Sequence, residues 1–235
     1  MLKIIEKNQI SLNMLRITLQ GEQLNNISWK PGCYVKLKVN DTSGQKTRTY
    51  TARSYDPDNQ TISIDFAIHQ PAGPATRWAL DSQIGDEVEL RGPGHLRADP
   101  TKGDWHLFSA DMSAMPAAIS IIESLPHDAK GYAFLEILDE QDKQEFSAPE
   151  GIDIQWLIHS NPKENSAQQL DAIKGIKHLE GTPNVFVAGE MNTIKKIKKY
   201  FNEEKRFSDS PKYISSYWKT GSNEEGHKLA KMMPW

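Results

Sequence analysis

The chain has 235 residues, 25% of them charged and 37% hydrophobic, with a formal net charge of −3 at pH 7. That is the composition of an ordinary globular protein, and the length suits two modest domains better than one core. The weakly acidic balance gives no reason to expect nucleic acid, and no run approaches the about 18 apolar residues of a membrane span.

The N-terminus, Met1-Leu-Lys-Ile-Ile-Glu-Lys7, lacks the apolar stretch of a signal peptide. Cys33 is the only cysteine and can form no internal disulfide. A cytoplasmic monomer without a membrane span is the expectation.

The first hundred residues read as strands. Val35, Leu37 and Val39 alternate, as do Ile62, Ile64, Phe66 and Ile68 within Thr61–Ile68, and Val88 with Leu90. Turn signals separate them at Pro31-Gly32, Ser43-Gly44, Asp56-Pro57-Asp58 and Gly92-Pro93-Gly94. Short alternating strands at this spacing predict an antiparallel barrel or sandwich, interrupted by one helix near 74–81.

Beyond Gly103 the pattern changes. His106–Ser109, Gly131–Leu138, Ile154–Ile158 and Asn184–Ala188 are nearly continuous apolar runs, with helical stretches predicted near 115–125, 165–175 and 192–205. Strands alternating with helices imply a parallel sheet covered on both faces. The break between the two styles falls at 98–104, which divides the chain into 1–100 and 101–235. From Glu190 onward, ten Lys or Arg stand against six Asp or Glu. Such a basic end could meet a phosphate, an anionic substrate or an acidic protein, and a solvated helix face would carry the same balance.

Two segments carry chemistry. Arg48-Thr-Tyr-Thr-Ala-Arg53 puts Arg48 and Tyr50 on one strand face and Thr51 and Arg53 on the other. A single ligand touching all four must lie across a strand end, and a solvated edge strand would carry the same arginines. In Ala72-Gly73-Pro74-Ala75-Thr76, Gly73 permits a tight turn and Pro74 stands where a first helical residue belongs. The N–H groups of Ala75 and Thr76 then face a phosphate at the positive end of the helix. Arginine forks and helix N–H groups suit a diphosphate; an aromatic ring and a hydroxyl suit a flavin.

Arg48, Tyr50, Thr51 and Arg53, followed by Asp65, Phe66, His69, Gly73, Pro74, Ala75, Thr76 and Trp78, stand in the order and spacing Arg-x-Tyr-Thr-x-Arg and Asp-Phe-x-x-His-x-x-x-Gly-Pro-Ala-[Ser/Thr]-x-Trp. In this the chain resembles the siderophore-interacting protein family, FAD-containing ferric-siderophore reductases of the ferredoxin-reductase superfamily. Weaker echoes at Gly85-Asp86, Ala188-Gly189-Glu190 and Tyr217–Gly221 extend the likeness over essentially the whole chain.

The resemblance implies a six-stranded antiparallel FAD-binding barrel over 1–100 and a ferredoxin-reductase-like α/β domain over 101–235 for NADH or NADPH. It implies that Arg48, Thr49, Tyr50 and Thr51 hold the flavin and its diphosphate, with Tyr50 against the ring and Thr51 near its reactive nitrogen. It further implies that Asp65, Phe66, His69, Ala72 and Trp78 border the site and that Gly73 to Thr76 complete the phosphate cradle.

The redox chemistry would belong to the flavin, so no catalytic acid–base residue is expected, and the scattered histidines give no metal-binding spacing. Asp111 and Glu190 follow predicted strands and so fall on the nicotinamide or donor side. Ala110–Ala117 departs from the family's Gly-Asp-Glu-Thr-Ala-x-Pro-Ala, and no Gly-x-Gly-x-x-Gly is present. The lysines of 193–201 could dock an acidic ferredoxin. A bulky anionic ferric siderophore would meet cations, for which Lys46, Arg97 and Lys219 are candidates. A ferredoxin or flavodoxin reductase, and a siderophore-binding protein without turnover, are the competing readings.

Overall fold

The structure is a computed structural model that describes all residues except Asn26, Thr42, Ser43, Arg97, Ala98, Pro100, 223–225 and 228–235. The candidate cation Arg97 and the Ser43 half of one expected turn therefore lie outside the described residues. The chain forms two compact units, Met1–His95 and Leu96–Trp235.

The first unit contains β1 (Leu2–Ser11), β2 (Met14–Gln20), β3 (Tyr34–Asp41), β4 (Gly44–Thr51), β5 (Ser54–Asp56), β6 (Thr61–Ala67), α1 (Pro74–Asp81) and β7 (Glu87–Gly94). The strands make one antiparallel sheet of seven, in the order β4-β3-β7-β1-β2-β6-β5. One strand more than the expected six arises because the three-residue β5 pairs along β6.

Alternation sets the register. Leu15, Ile17 and Leu19 of β2 stand opposite Phe66, Ile64 and Ile62 of β6, and all six side chains are buried. Directly opposed residues share a face, so the two stripes pack as one layer. Each such side chain contributes about 1.5–3 kcal/mol relative to exposure.

The sheet curls back on itself at one point. Ala52 N–H donates to Cys33 O beside β3, and the next residue, Arg53, donates to Ser63 O of β6, both at 2.9 Å. Two consecutive residues thus bridge the neighbours of the two opposite edge strands, which brings the end of β4 against β6. Gly92-Pro93-Gly94 is not the expected turn; it forms the end of β7, where Gly94 pairs with Tyr34. The reason is steric: a Cβ on Gly94 would lie 2.3 Å from the Tyr34 ring, so glycine lets that ring lie across the strand.

The second unit contains β8 (Trp105–Asp111), α2 (Met115–Ile122), β9 (Lys130–Ile137), β10 (Gly151–Ile158), α3 (Gln168–Gly175), β11 (Pro183–Glu190), α4 (Met191–Glu203) and β12 (Lys212–Trp218). Its five strands are parallel in the order β10-β9-β8-β11-β12. Trp105, Leu107, Val185 and Val187 of the sheet pack with Ile173 of α3 and Ile194, Ile197 and Phe201 of α4. α2 is buried all round, and its one polar residue, Ser120, donates to Ala117 O.

The helices are shorter than expected from sequence. α2 ends at Ile122, three residues before the 115–125 estimate, because Pro126 lies just beyond and Leu125 N–H already turns back to Ile122 O. The stretch expected as a boundary is tied to this unit: the Asn184 amide donates to Asp99 O at 2.8 Å and also to Lys102 O.

Gly131 has φ +149, and a Cβ there would stand 1.9 Å from His106 O on the neighbouring strand. Gly131→Ala is therefore expected to lower stability by about 3 kcal/mol or more, measured as a fall in urea midpoint at unchanged slope.

Candidate cofactor site

β4 is an edge strand, and its residues Arg48 and Tyr50 stand opposite the buried Leu37 and Val35 of β3. Cross-strand partners share a face, so both side chains lean over the inner side of the sheet and are half-buried there. Lys46, opposite Val39, shares this face and is half-buried too. Thr49 points the other way and is exposed. Thr51, Ala52 and Arg53 are buried in succession, because at Thr51 the chain leaves the strand and crosses between sheet edges. The strand end that a ligand would need in order to touch both faces is thus present.

Behind that edge lies a line of rings. Tyr50 and Phe66 have centroids 4.5 Å apart, and Phe66 and Trp78 5.8 Å. Phe66 is fully buried and belongs to the core, so it supports Tyr50 from below rather than lining a surface. Asp65 is likewise interior. Its carboxylate accepts from Arg16 Nε at 2.6 Å and Nη2 at 2.8 Å, and Arg53 Nε lies 3.9 Å away. Sequence reasoning passed over Arg16. It occupies the slot in β2 opposite Asp65, and only the β2–β6 register reveals that pairing.

α1 begins as its sequence predicts. Gly73 is the extended N-cap, Pro74 opens the helix, and no side chain caps the N-terminus. Ala75 and Thr76 are buried, and Thr76 Oγ1 lies 3.5 Å from Nε2 of the exposed His69. An N-terminus that is not capped by its own side chains suits an external anion. With the Arg48 guanidinium and the Tyr50 ring, these residues fit the diphosphate and ring of FAD.

The second unit caps one helix start with a side chain, that of α4, whereas α2 and α3 begin without a side-chain cap. Its strand order reverses between β8 and β11, and ligands of open parallel sheets bind beyond the carboxyl ends at such a point. Asp111 ends β8 and Glu190 ends β11. Asp111 Oδ1 accepts from Ser113 N–H (2.9 Å), Ser113 Oγ (2.5 Å) and Ala114 N–H (3.3 Å), while Oδ2 accepts from Trp218 Nε1 at 2.7 Å. Burial pushes the Asp111 carboxyl up, and these four donors work against that rise. The four donors favour the carboxylate form and burial opposes it.

Glu190 caps α4, accepting at Oε2 from Asn192 and Thr193 N–H, and at Oε1 from Thr220 N–H at 3.1 Å. A third acid, Glu136, stands opposite Asp111 on β9 and accepts from Ser166 Oγ. Burial pushes it up as well, with the charge of Asp111 adding to the rise. Glu190→Ala should remove the cap and the tie to β12 together, lowering stability by about 1–2 kcal/mol in thermal or urea unfolding. Lys219, one residue before Thr220, is half-buried.

Residues 40–96 match the family model of the siderophore-interacting FAD-binding domain, and residues 103–221 that of the siderophore-interacting protein. The chain belongs to the siderophore-interacting protein family. FAD is accordingly its cofactor. Among its relatives, the ferric vibriobactin reductase ViuB of Vibrio cholerae is 33% identical over 249 residues, 97% of this chain and 92% of ViuB. The ferric acinetobactin reductase of Acinetobacter baumannii is 30% identical over 85% of this chain and 71% of its own length.

The solved siderophore-interacting protein SipS from Aeromonas hydrophila superposes with a TM-score of 0.86 at 24% identity, covering 97% of this chain and 94% of SipS. Phthalate dioxygenase reductase, at 15% identity and a TM-score of 0.68, covers 95% of this chain and 70% of its own and shares the fold. Set against the family motif, Arg48, Tyr50, Gly73 and Thr76 lie in one unit at the β4 edge and the α1 N-terminus, whereas Asp65 and Phe66 form the layer beneath. No helix of the described residues is long and apolar enough to cross a membrane.

Proposed function

We propose that this chain reduces Fe(III) held in a siderophore, using FAD, and so releases the iron as Fe(II). The observation that carries the reading is the pairing of an arginine–tyrosine strand edge with an uncapped helix start inside a family FAD-binding domain. When bound, FAD accepts an electron pair and hands electrons on singly.

The residues divide the work of holding it. Arg48 and the N–H groups of Ala75 and Thr76 bind the diphosphate, and Tyr50 lies against the ring with Phe66 and Trp78 fixing its plane. Thr51 offers a hydroxyl near the reactive edge, and His69 borders the adenine or ribitol side. Asp65 acts from below through Arg53. Lys46 and Lys219 attract an anionic ferric chelate, whose iron stays in its own ligands and needs no protein site.

Reduction loosens such a chelate because ferrous iron is a weaker partner for hard oxygen donors. Single-electron transfer requires proximity and not a general base, so no side chain is assigned a proton. NADH, NADPH or a reduced ferredoxin supplies the electrons, and the protein works as a cytoplasmic monomer.

The test is direct. Purified protein should be yellow, be bleached anaerobically by dithionite, and regain its colour on mixing with a ferric siderophore as a ferrous trap fills. Colourless protein that takes up no added FAD would overturn the reading and favour a binding protein without turnover. Reoxidation by ferredoxin or flavodoxin but not by ferric chelates would make it a reductase of protein acceptors.

A further inference from the structure

The end of β4 has two faces. Arg48 and Tyr50 lean over the inner one, whereas Thr51 belongs to the other and stands directly opposite Tyr34 of β3. Directly opposed residues share a face, so Tyr34 is the ring beside the Thr51 hydroxyl. It is also the one aromatic among the exposed large apolar side chains of the described residues, at 38%. Its ring lies across β7, where a Cβ on Gly94 would come within 2.3 Å of it. Backbone thus supports part of the ring and the rest stays open.

The same face carries charge. Lys36 stands two residues along β3 and directly opposite Arg91 of β7, a like-charge pair that costs stability in a sheet. Glu89 answers Arg91 at 2.8 Å and Lys38 at 2.6 Å, so Lys36 brings a third cation to a single acid. An anionic ligand laid over this face would offset the excess.

We propose that Tyr34 is a specificity-determining residue for the ferric chelate. Its ring packs against an aromatic donor group, so the site favours siderophores with catecholate-type donors over those with aliphatic hydroxamates. Catecholate chelates are strongly anionic, which suits Lys36 and Arg91; tris-hydroxamate chelates are neither aromatic nor anionic. Tyr34 stands beside Thr51, the hydroxyl assigned to the flavin's reactive edge, where a chelate must come to take an electron. The inference rests on the proposed siderophore substrate and names the class of its donors.

Calorimetric titration of the oxidised, FAD-loaded protein with gallium(III) chelates tests it. Gallium(III) has the charge of iron(III) and takes no electron from flavin, so binding is read apart from turnover. Tyr34→Leu should weaken gallium–enterobactin, a tris-catecholate, by about 3- to 10-fold, and should change gallium–desferrioxamine B, a tris-hydroxamate, by less than about twofold. Tyr34→Phe should keep the wild-type affinity for both.

Gly94→Ala, whose methyl group must push the ring aside, should reproduce the Tyr34→Leu pattern and decides the matter if that variant does not fold. An equal loss for both chelates, no loss for either, or release of FAD from the variants would overturn the proposal, as would wild-type protein that does not bind the tris-catecholate. Reoxidation of dithionite-reduced flavin by ferric chelates reports separately on the proposed function. Its failure with the gallium difference intact would remove the reductase reading and leave the role of Tyr34 in place.

Discussion

Arg48→Ala is expected to lose FAD during purification and to rebind it weakly. The guanidinium stands on the inner face of an edge strand, opposite Leu37, with Nη1 donating to Thr47 O at 3.0 Å. That bond holds one arm of the guanidinium along the strand, on the face shared with Tyr50 and Lys46. A hydrogen bond to a charged group is worth about 1.5–3 kcal/mol, so the loss corresponds to about 10- to 100-fold in dissociation constant.

Arg48→Lys should fall between wild type and alanine, since a point charge replaces a fork that can bind two phosphate oxygens. Titration of apoprotein with FAD, followed by flavin fluorescence, gives the ratio. The stability of the apoprotein should hardly change, because the side chain is only half-buried and lies at the sheet edge. Equal FAD affinity in all three proteins would remove Arg48 from the cradle.

The parts of this site that could be read from sequence are those whose chemistry lies within a few residues. Pro74 after Gly73 fixes a helix start whatever surrounds it, and α1 runs from Pro74 to Asp81 as expected. The alternation of Ile62, Ile64 and Phe66 fixes which face of β6 is buried for the same local reason. What was not legible depends on register between distant strands. Arg16 and Asp65 are 49 residues apart, and nothing near either one announces the other. Lys212–Trp218 escaped notice as a strand because its residues are mostly half-buried at a sheet edge, which leaves no alternating pattern.

Asp111 and Glu190 fall, as expected, at carboxyl ends of strands, yet only the hydrogen-bond partners reveal that both carboxylates are committed within the protein. Sequence places them at a sheet edge, and geometry shows Asp111 holding the turn after β8 and Glu190 the start of α4. The same physical rule, that a helix start wants an anion, operates in both units. At α1 it leaves the start open to the FAD phosphate proposed above, and at α4 it is satisfied by Glu190.

Asp65→Ala should be among the most destabilising single changes in the first unit. The Asp65 side chain is 1% exposed and accepts from Arg16 Nε at Oδ1 and from Arg16 Nη2 at Oδ2, with Arg53 Nε 3.9 Å from Oδ2. Arg53 is itself buried, so removing the carboxylate takes a nearby negative charge away from an interior guanidinium. Breaking a buried pair from one side costs about 3–5 kcal/mol, a large share of the about 5–15 kcal/mol that holds a domain together.

Arg16→Ala should cost less, because the Arg16 side chain is 28% exposed and Arg53 still neutralises Asp65. Asp65→Asn should lie between them, keeping the shape but not the charge. Urea unfolding of the three variants should therefore rank Asp65→Ala below Asp65→Asn below Arg16→Ala. An Asp65→Ala midpoint close to wild type would mean that the interior tolerates Arg53 without Asp65. Because Arg53 is two residues from Thr51 and follows the point where the chain bridges the sheet edges, the same change should also loosen FAD in protein that remains folded.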